Sequence, residues 1–173
     1  MMCLEETKCK KFRLTYGTGY HTGNDEDWEL TLTKRLADKG YDAQIDAEGF
    51  YNVNGVVISA KHHAGGSAQE PLRGTPLRKE LFYNDQWVAL GIQPRADIIL
   101  RGHTHYFDKE ETVDRHAFSC PCLCTLGDKF GARICKGTVH FGFLTFNISA
   151  FGEFTYKKHI EVLASQPDYA EVI

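Results

Sequence analysis

The feature that most constrains this chain is the stretch DIILRGHTHYF, residues 97–107. Ile98, Ile99 and Leu100 form an apolar run typical of a buried strand, and Gly102 ends that run. His103 and His105 follow at once. In open α/β sheets, ligands bind just beyond the carboxyl ends of the strands. The stretch therefore predicts a sheet strand that leads directly into a functional site.

A second predicted strand also ends in histidines. The pair Asn54-Gly55 favours a tight hairpin turn, and the apolar run VVISA after it leads into a His-His pair. Neutral imidazole is the commonest side-chain ligand for transition metals. Histidines at two strand ends of one sheet thus predict a metal site. The predicted ligands are His62, His63, His103 and His105.

Helical periodicity separates these strands. Residues 24–40 have Asn24 and Asp25 as capping candidates and an expected buried face of Trp28, Leu32 and Leu36. Residues 74–91 have Thr75 as the predicted N-cap, with Pro76 at the first helical position. The expected apolar stripe of this crossover helix is Leu77, Leu81, Trp87 and Leu90. Three more β-rich runs follow, the last two joined by a turn at Phe151-Gly152. The pattern predicts an α/β fold in a single domain, residues 1–173.

Charge and hydropathy exclude several classes of function. The 20 basic and 23 acidic residues are well mixed, so no basic stripe indicates a dedicated nucleic-acid module. No apolar run reaches the roughly 18 residues that a membrane span needs. The segment MMCLEETKCKKFR lacks the apolar core of a signal peptide. We therefore expect a cytoplasmic protein with no membrane contact.

The cysteines allow two interpretations. Three of the six lie in CPCLC, and an extended backbone would place Cys120, Cys122 and Cys124 on one face. They could form a soft-metal site with Cys135 as the fourth ligand. Free cysteines are, however, among the most buried residue types, and structural zinc usually uses C-x2-C pairs. Buried thiols acting as small hydrophobic side chains are the favoured interpretation.

The order strand, His-His, crossover helix, strand and GHTH over residues 50–107 resembles the calcineurin-like metallophosphoesterases. Gly102 to His105 match the G-H-x-H motif of that family. The segments YGTGYHTGNDEDWE and HFGFLTFNIS also resemble a phage-related branch. The resemblance implies hydrolysis of phosphomonoesters or phosphodiesters at two divalent ions, Mn, Zn, Fe or Ni. It implies that His103 and either His62 or His63 bind one ion, with His62 favoured, and that His105 binds the other.

The family's earlier D-x-H, G-D-x-x-D and G-N-H-D/E motifs do not occur before the His-His pair in this sequence. The resemblance thus implies part of a metallophosphoesterase-like double-sheet sandwich with flanking helices, lacking the N-terminal half. A site without the bridging carboxylate would hold one ion or none, unless a missing half, a homo-oligomer or a partner chain completes it. His21, in a glycine-broken loop, is a candidate general acid. Arg101 is a candidate for neutralising a phosphate oxygen.

Two alternatives remain at this point. One is a catalytically inactive relative that keeps the fold as a binding or structural protein. The other is a small mononuclear metal-binding module, which requires the cysteines to converge. A half sandwich would expose an apolar face and associate, whereas a self-sufficient relative would not. The expected substrate is a phosphate ester in a nucleotide, a nucleic acid or a phosphoprotein.

Overall fold

A computed structural model describes residues 8–18, 27–67, 69–124 and 139–162. A short 3₁₀ helix, Glu70–Leu72, precedes the second α-helix. In chain order the other elements are β1 (Lys11–Thr15), α1 (Trp28–Asp38), β2 (Asp42–Asp46), β3 (Glu48–Val53), β4 (Val56–Lys61), α2 (Thr75–Ala89), β5 (Ile98–Arg101), β6 (Asp108–Glu111), β7 (His116–Ser119), β8 (His140–Ile148) and β9 (Phe154–Val162). Neither α-helix among these residues has the length and apolar character of a membrane span.

The central sheet has five strands in the order β3-β4-β5-β7-β6. β4, β5 and β7 are parallel neighbours, while β3 and β6 run antiparallel at the two edges. Asn54 and Gly55 join β3 to β4 with positive φ angles of 51° and 89°, which confirms the predicted hairpin turn. α2 is the crossover between β4 and β5. The carboxyl ends of these parallel strands therefore meet at one edge.

Alternate residues of the central strands pack against different layers. Ile99 and Ala117 contact Leu77 and Leu81 of α2 on one face of the sheet. Ile98 and Phe118 on the other face contact the β8–β9 hairpin through apolar side chains that include Phe146 and Tyr156. The hairpin turns at residues 149–153, where Gly152 has a φ of 80°, as predicted. The predicted α/β class is confirmed, with helix, sheet and hairpin in three layers.

The first helix and its strands form a separate βαβ unit. β1 and β2 pair in parallel as a two-stranded sheet, and α1 connects them. Asp27 caps α1 by accepting a 2.9 Å hydrogen bond from the Leu30 amide, while Asn24 and Asp25 lie outside the described residues. Leu36 is buried as expected, but Trp28 is 56% exposed and Leu32 42% exposed. The predicted apolar face of α1 is therefore wrong at two of its three positions.

α2 also differs from its prediction in detail. It begins at Thr75 with Gly74 as the N-cap. Leu77 and Leu81 are buried, but Trp87 and Leu90 are 42% and 68% exposed. Asn84 is the next buried position, because its side chain accepts the Ala96 amide proton and donates to the Pro94 carbonyl. The buried face thus follows residues 77, 81 and 84, which turns Trp87 and Leu90 toward solvent.

Candidate metal centre

Three histidines come together beyond β4 and β5. Lys61 is paired with Arg101 in the parallel register, so His62 and Gly102 are the next residues of each strand. The Nε2 atom of His62 lies 3.3 Å from Nδ1 of His103, and the ring centroids of His63 and His103 are 4.9 Å apart. Two nitrogen ligands of a tetrahedral zinc ion lie about 3.3 Å apart. This spacing is that of a hydrogen bond between the two rings, and it is also the spacing of two ligands on one ion.

The close approach of the two strand ends depends on Gly102. A Cβ atom at this position would lie 3.2 Å from the His62 carbonyl oxygen and 3.5 Å from His62 Nδ1. A side chain would therefore push the two loops apart. Glycine lets the backbone that carries His103 lie directly against His62.

The GHTH loop has an uncommon backbone. His103 and His105 have φ angles of 74° and 60°, in the left-handed region that non-glycine residues seldom adopt. Such residues cost about 1 to 3 kcal/mol each and cluster at functional sites. Ser119 Oγ donates to the Tyr106 carbonyl at 2.8 Å, so Thr104 Oγ1, 2.5 Å away, donates to Ser119 Oγ. These bonds to β7 hold the loop in place.

The fourth predicted ligand, His105, lies with two thiols. His105 is only 6% exposed, and one of its ring nitrogens is within 4.8 Å of the sulfurs of both Cys122 and Cys124, which are also within 4.8 Å of each other. Cys120 does not belong to this group. Burial raises the pKa of the Cys120 thiol to about 11. The convergence that the soft-metal interpretation requires applies to Cys122 and Cys124, and Cys135 lies outside the described residues. All three thiols of CPCLC are half-buried rather than fully buried.

Arg101 is not oriented toward the histidines but buried on the α2 side of the sheet. Its guanidinium donates to Glu48 at 3.0 Å, to Glu80 at 2.8 Å and to Ser59 at 3.0 Å, and its side chain is 3% exposed. These are the contacts of a structural ion pair. The expected phosphate contact has no support from them and stays a prediction. His21, the candidate general acid, lies outside the described residues.

Two residues near the site were not among the predicted site residues. The Nδ1 atom of His140 accepts the Phe107 amide proton at 2.8 Å, which ties the GHTH loop to β8. Burial, and then the charges of Arg73 and Lys158, lower the pKa of His140 and favour its neutral form. The guanidinium of Arg73 lies 4.8 Å from the ring centroid of Tyr106. No local sequence pattern marks His140, since its role depends on a contact between distant segments.

The donor set suits one ion better than two at the histidines. Across the described ranges, no Asp or Glu belongs to a group of three donors within 4.8 Å of one another, and His62, His63 and His103 do not form such a group either. Two cations roughly 3.5 to 4 Å apart normally share a bridging carboxylate. Neutral imidazoles alone cannot offset the charge of such a pair.

Comparisons with known proteins give distant structural similarity. No protein-family model matches the sequence, and no curated protein matches it. A novel archaeal phosphodiesterase is 18% identical, with a TM-score of 0.43 over 84% of this chain and 67% of that one. Zinc-bound Vps29 from Entamoeba histolytica is 12% identical, with a TM-score of 0.46 over 92% of this chain and 88% of that one. Since both TM-scores are below 0.5, the functional assignment rests on the residues of the site.

Proposed function

We propose that this chain is a metal-dependent phosphoesterase whose metal is held by histidines at the carboxyl ends of β4 and β5. The observation that carries the proposal is the 3.3 Å separation between His62 Nε2 and His103 Nδ1, with the His63 ring beside them. The left-handed backbone of His103, held against His62 at Gly102, supports it further. Gly102 and His103 belong to the segment GHTH, which resembles the G-H-x-H motif of the calcineurin-like family.

Each residue has a distinct task in this proposal. His62 and His103 bind the ion, and His63, exposed beside them, is the candidate third ligand. A bound divalent ion acts as a Lewis acid on a phosphoryl oxygen. The Arg73 guanidinium lies over the ring of Tyr106, which directly follows the GHTH motif. We assign this cation to the phosphate. The resemblance implies a second ion at His105, and because His105 lies with Cys122 and Cys124, that ion would have thiol ligands as well.

The carboxylate that a two-ion centre needs would come from elsewhere. Among the described residues no Asp or Glu completes the histidine cluster. We therefore propose that a second copy of this chain, a partner chain or residues outside the described ranges supply it. Nucleotides, nucleic acids and phosphoproteins are the substrate classes to compare.

The test combines metal content with hydrolysis. The purified protein is loaded with manganese, desalted and analysed for metal per chain, and its rate on bis(p-nitrophenyl) phosphate and p-nitrophenyl phosphate is measured. His103→Ala should lose the metal and lower kcat/KM at least about 100-fold, since one ligand and its charge stabilisation are removed. His159→Ala is the control, because His159 stacks on Phe143 in the hairpin.

The outcomes separate the candidate functions. Metal binding with hydrolysis that depends on His103 supports the phosphoesterase. Metal binding without hydrolysis of either substrate, in the presence of any partner that co-purifies, would favour the inactive binding relative. Equal rates in His103→Ala and the parent chain would overturn the proposal.

A further inference from the structure

A second cluster of metal-ligating side chains lies beyond the histidine cluster. One ring nitrogen of His105 and the sulfurs of Cys122 and Cys124 are mutually within 4.8 Å. Two thiolates on a tetrahedral zinc ion lie about 3.8 Å apart, and a thiolate and an imidazole about 3.5 Å. Small side-chain rotations therefore suffice to bring all three donors onto one ion. We call these three residues the thiol site.

The backbone around the thiol site is fixed by hydrogen bonds between three segments. Cys122 donates its amide proton to the His140 carbonyl at 3.1 Å, and its own carbonyl accepts from Gly142 at 2.8 Å. The His140 amide in turn donates to the His105 carbonyl at 3.0 Å. β8 thus connects the GHTH loop to CPCLC. His105 and Cys122 are thus both held against the start of β8 rather than on a single free loop.

The chemistry of the donors selects the ion. Thiolates are soft ligands that favour zinc or cuprous copper, whereas manganese prefers oxygen donors. Two thiolates and one neutral imidazole balance the charge of a divalent ion, which suits the burial of His105. Two cysteines and one histidine are also a known ligand set for zinc with one open coordination position.

We infer that His105, Cys122 and Cys124 form a zinc site, separate from the histidine cluster in its ligand chemistry. Without metal, the Cys122 sulfur lies 3.6 Å from the Cys124 carbonyl oxygen and 4.0 Å from the His105 carbonyl oxygen. Zinc binding breaks two S–H bonds, forms two Zn–S bonds and releases two protons to solvent, with no change of oxidation state. The inference does not depend on hydrolysis at the histidines.

Cobalt titration of the full chain tests this site. The metal-free protein, kept reduced with a phosphine, is titrated with Co²⁺ while thiolate-to-cobalt charge-transfer absorption is recorded, and Zn²⁺ is then added as competitor. We expect a charge-transfer band that saturates and is displaced by Zn²⁺. Cys122→Ser and Cys124→Ser should each weaken binding by more than the roughly 10- to 100-fold typical of outer-shell changes. Cys120→Ser and His62→Ala are the matched controls that should keep the band.

A second measurement needs no substitution. Zn²⁺ should protect Cys122 and Cys124 from iodoacetamide, as located by peptide mass spectrometry, while exposed Cys9 continues to react. Absence of the charge-transfer band together with unprotected Cys122 and Cys124 would overturn the inference. Equal loss of the band in Cys120→Ser would do so as well, since Cys120 is outside the thiol site. A band that survives in His62→Ala while hydrolysis is lost would separate this site from the phosphoesterase.

Discussion

The geometry of the histidine cluster is most sensitive to substitution at Gly102. A methyl group on this residue would press on the His62 carbonyl oxygen at 3.2 Å. His62 and Gly102 lie in the two loops that carry the proposed metal ligands, so relief of this contact should move His62 away from His103. Gly102→Ala should therefore weaken manganese binding by about 10-fold or more, as positioning changes near metal ligands do.

Isothermal titration calorimetry of the metal-free protein measures this effect. Gly65→Ala is the matched control, because its Cβ atom would meet only Pro76 at 3.8 Å, an ordinary contact. Unchanged affinity in Gly102→Ala, with a normal melting curve, would contradict the importance of the close approach.

The Cys120 thiol leads to a prediction about alkylation rate and about stability at alkaline pH. Burial raises the pKa of its thiol to about 11, above the usual value near 9. At pH 8 only about one thiol in a thousand is then the reactive thiolate, so Cys120 should alkylate far more slowly than exposed Cys9. Because the unfolded thiol ionises first, this residue should also lower stability as pH rises from about 9 to 11.

Iodoacetamide labelling followed by peptide mass spectrometry tests the rate. Denaturant should remove the difference between the two cysteines, and Cys120→Ser should reduce the loss of stability at alkaline pH. Equal labelling of Cys120 and Cys9 in the folded protein would show that burial does not control this thiol.

At the level of elements, Arg101 connects three parts of the fold. Its guanidinium joins Glu48 of β3 and Glu80 of α2 across the sheet. Arg101→Met would leave Glu80 without its cation and Glu48 with only its 3.8 Å pair to Lys61, at a cost of about 3 kcal/mol in the free energy of unfolding. Arg78→Ala is the control, because Arg78 is 75% exposed in its pair with Glu110 and should change stability by about 1 kcal/mol or less.

Urea denaturation measures both variants, and phosphodiester kinetics separate the two roles of Arg101. A structural role predicts lower stability with little change in KM among the folded molecules. A raised KM with unchanged stability would instead support the phosphate contact expected from the sequence.

The sequence predicts the turns and strands that depend on residues close together in the chain. Asn54-Gly55 determines its own turn, and the apolar runs of β4 and β5 indicate buried strands. β6 has the sequence DKEE, which lacks an apolar pattern, and it forms a strand only because it pairs with β7 at the sheet edge. The exposed Trp87 has a similar origin, since Asn84 sets the buried face of α2 through its bonds to residues 94 and 96.

The candidate site also has one part that the sequence predicts and another part that it does not. Parallel neighbouring strands with histidines at their ends suffice to predict that His62 and His103 lie close together. The position of His105 beside Cys122 and Cys124 depends on β8, because His140 forms backbone hydrogen bonds to both His105 and Cys122. No spacing in the sequence predicts this contact, because residues 105, 122 and 140 belong to three separate segments.

For the whole molecule, the surface relevant to association is the outer side of α2, which exposes several large apolar side chains. Its exposed apolar residues, with the turn that follows, are Phe82, Tyr83, Trp87, Leu90 and Ile92. Tyr83, Trp87 and Ile92 line a cavity of about 370 Å³ together with polar and charged side chains that include Glu48, Lys61 and Arg101. Patches of this kind on soluble proteins usually mark interaction sites. The structure therefore gives a physical reason for association through α2 rather than through an uncovered sheet face, because α2 and the β8–β9 hairpin cover the two faces of the central sheet.

We predict that the isolated chain forms dimers or larger species, measured by light scattering across a range of protein concentrations. Trp87→Glu together with Leu90→Glu should shift it toward the monomer, because each charge would have to be desolvated in the interface. Val113→Glu is the matched control, since Val113 is fully exposed and does not line the cavity beside α2. A parent chain that is monomeric at every concentration would count against association through this surface. If the double variant also loses manganese, the second copy contributes to the metal centre; if it keeps the metal, the ligands come from a single chain.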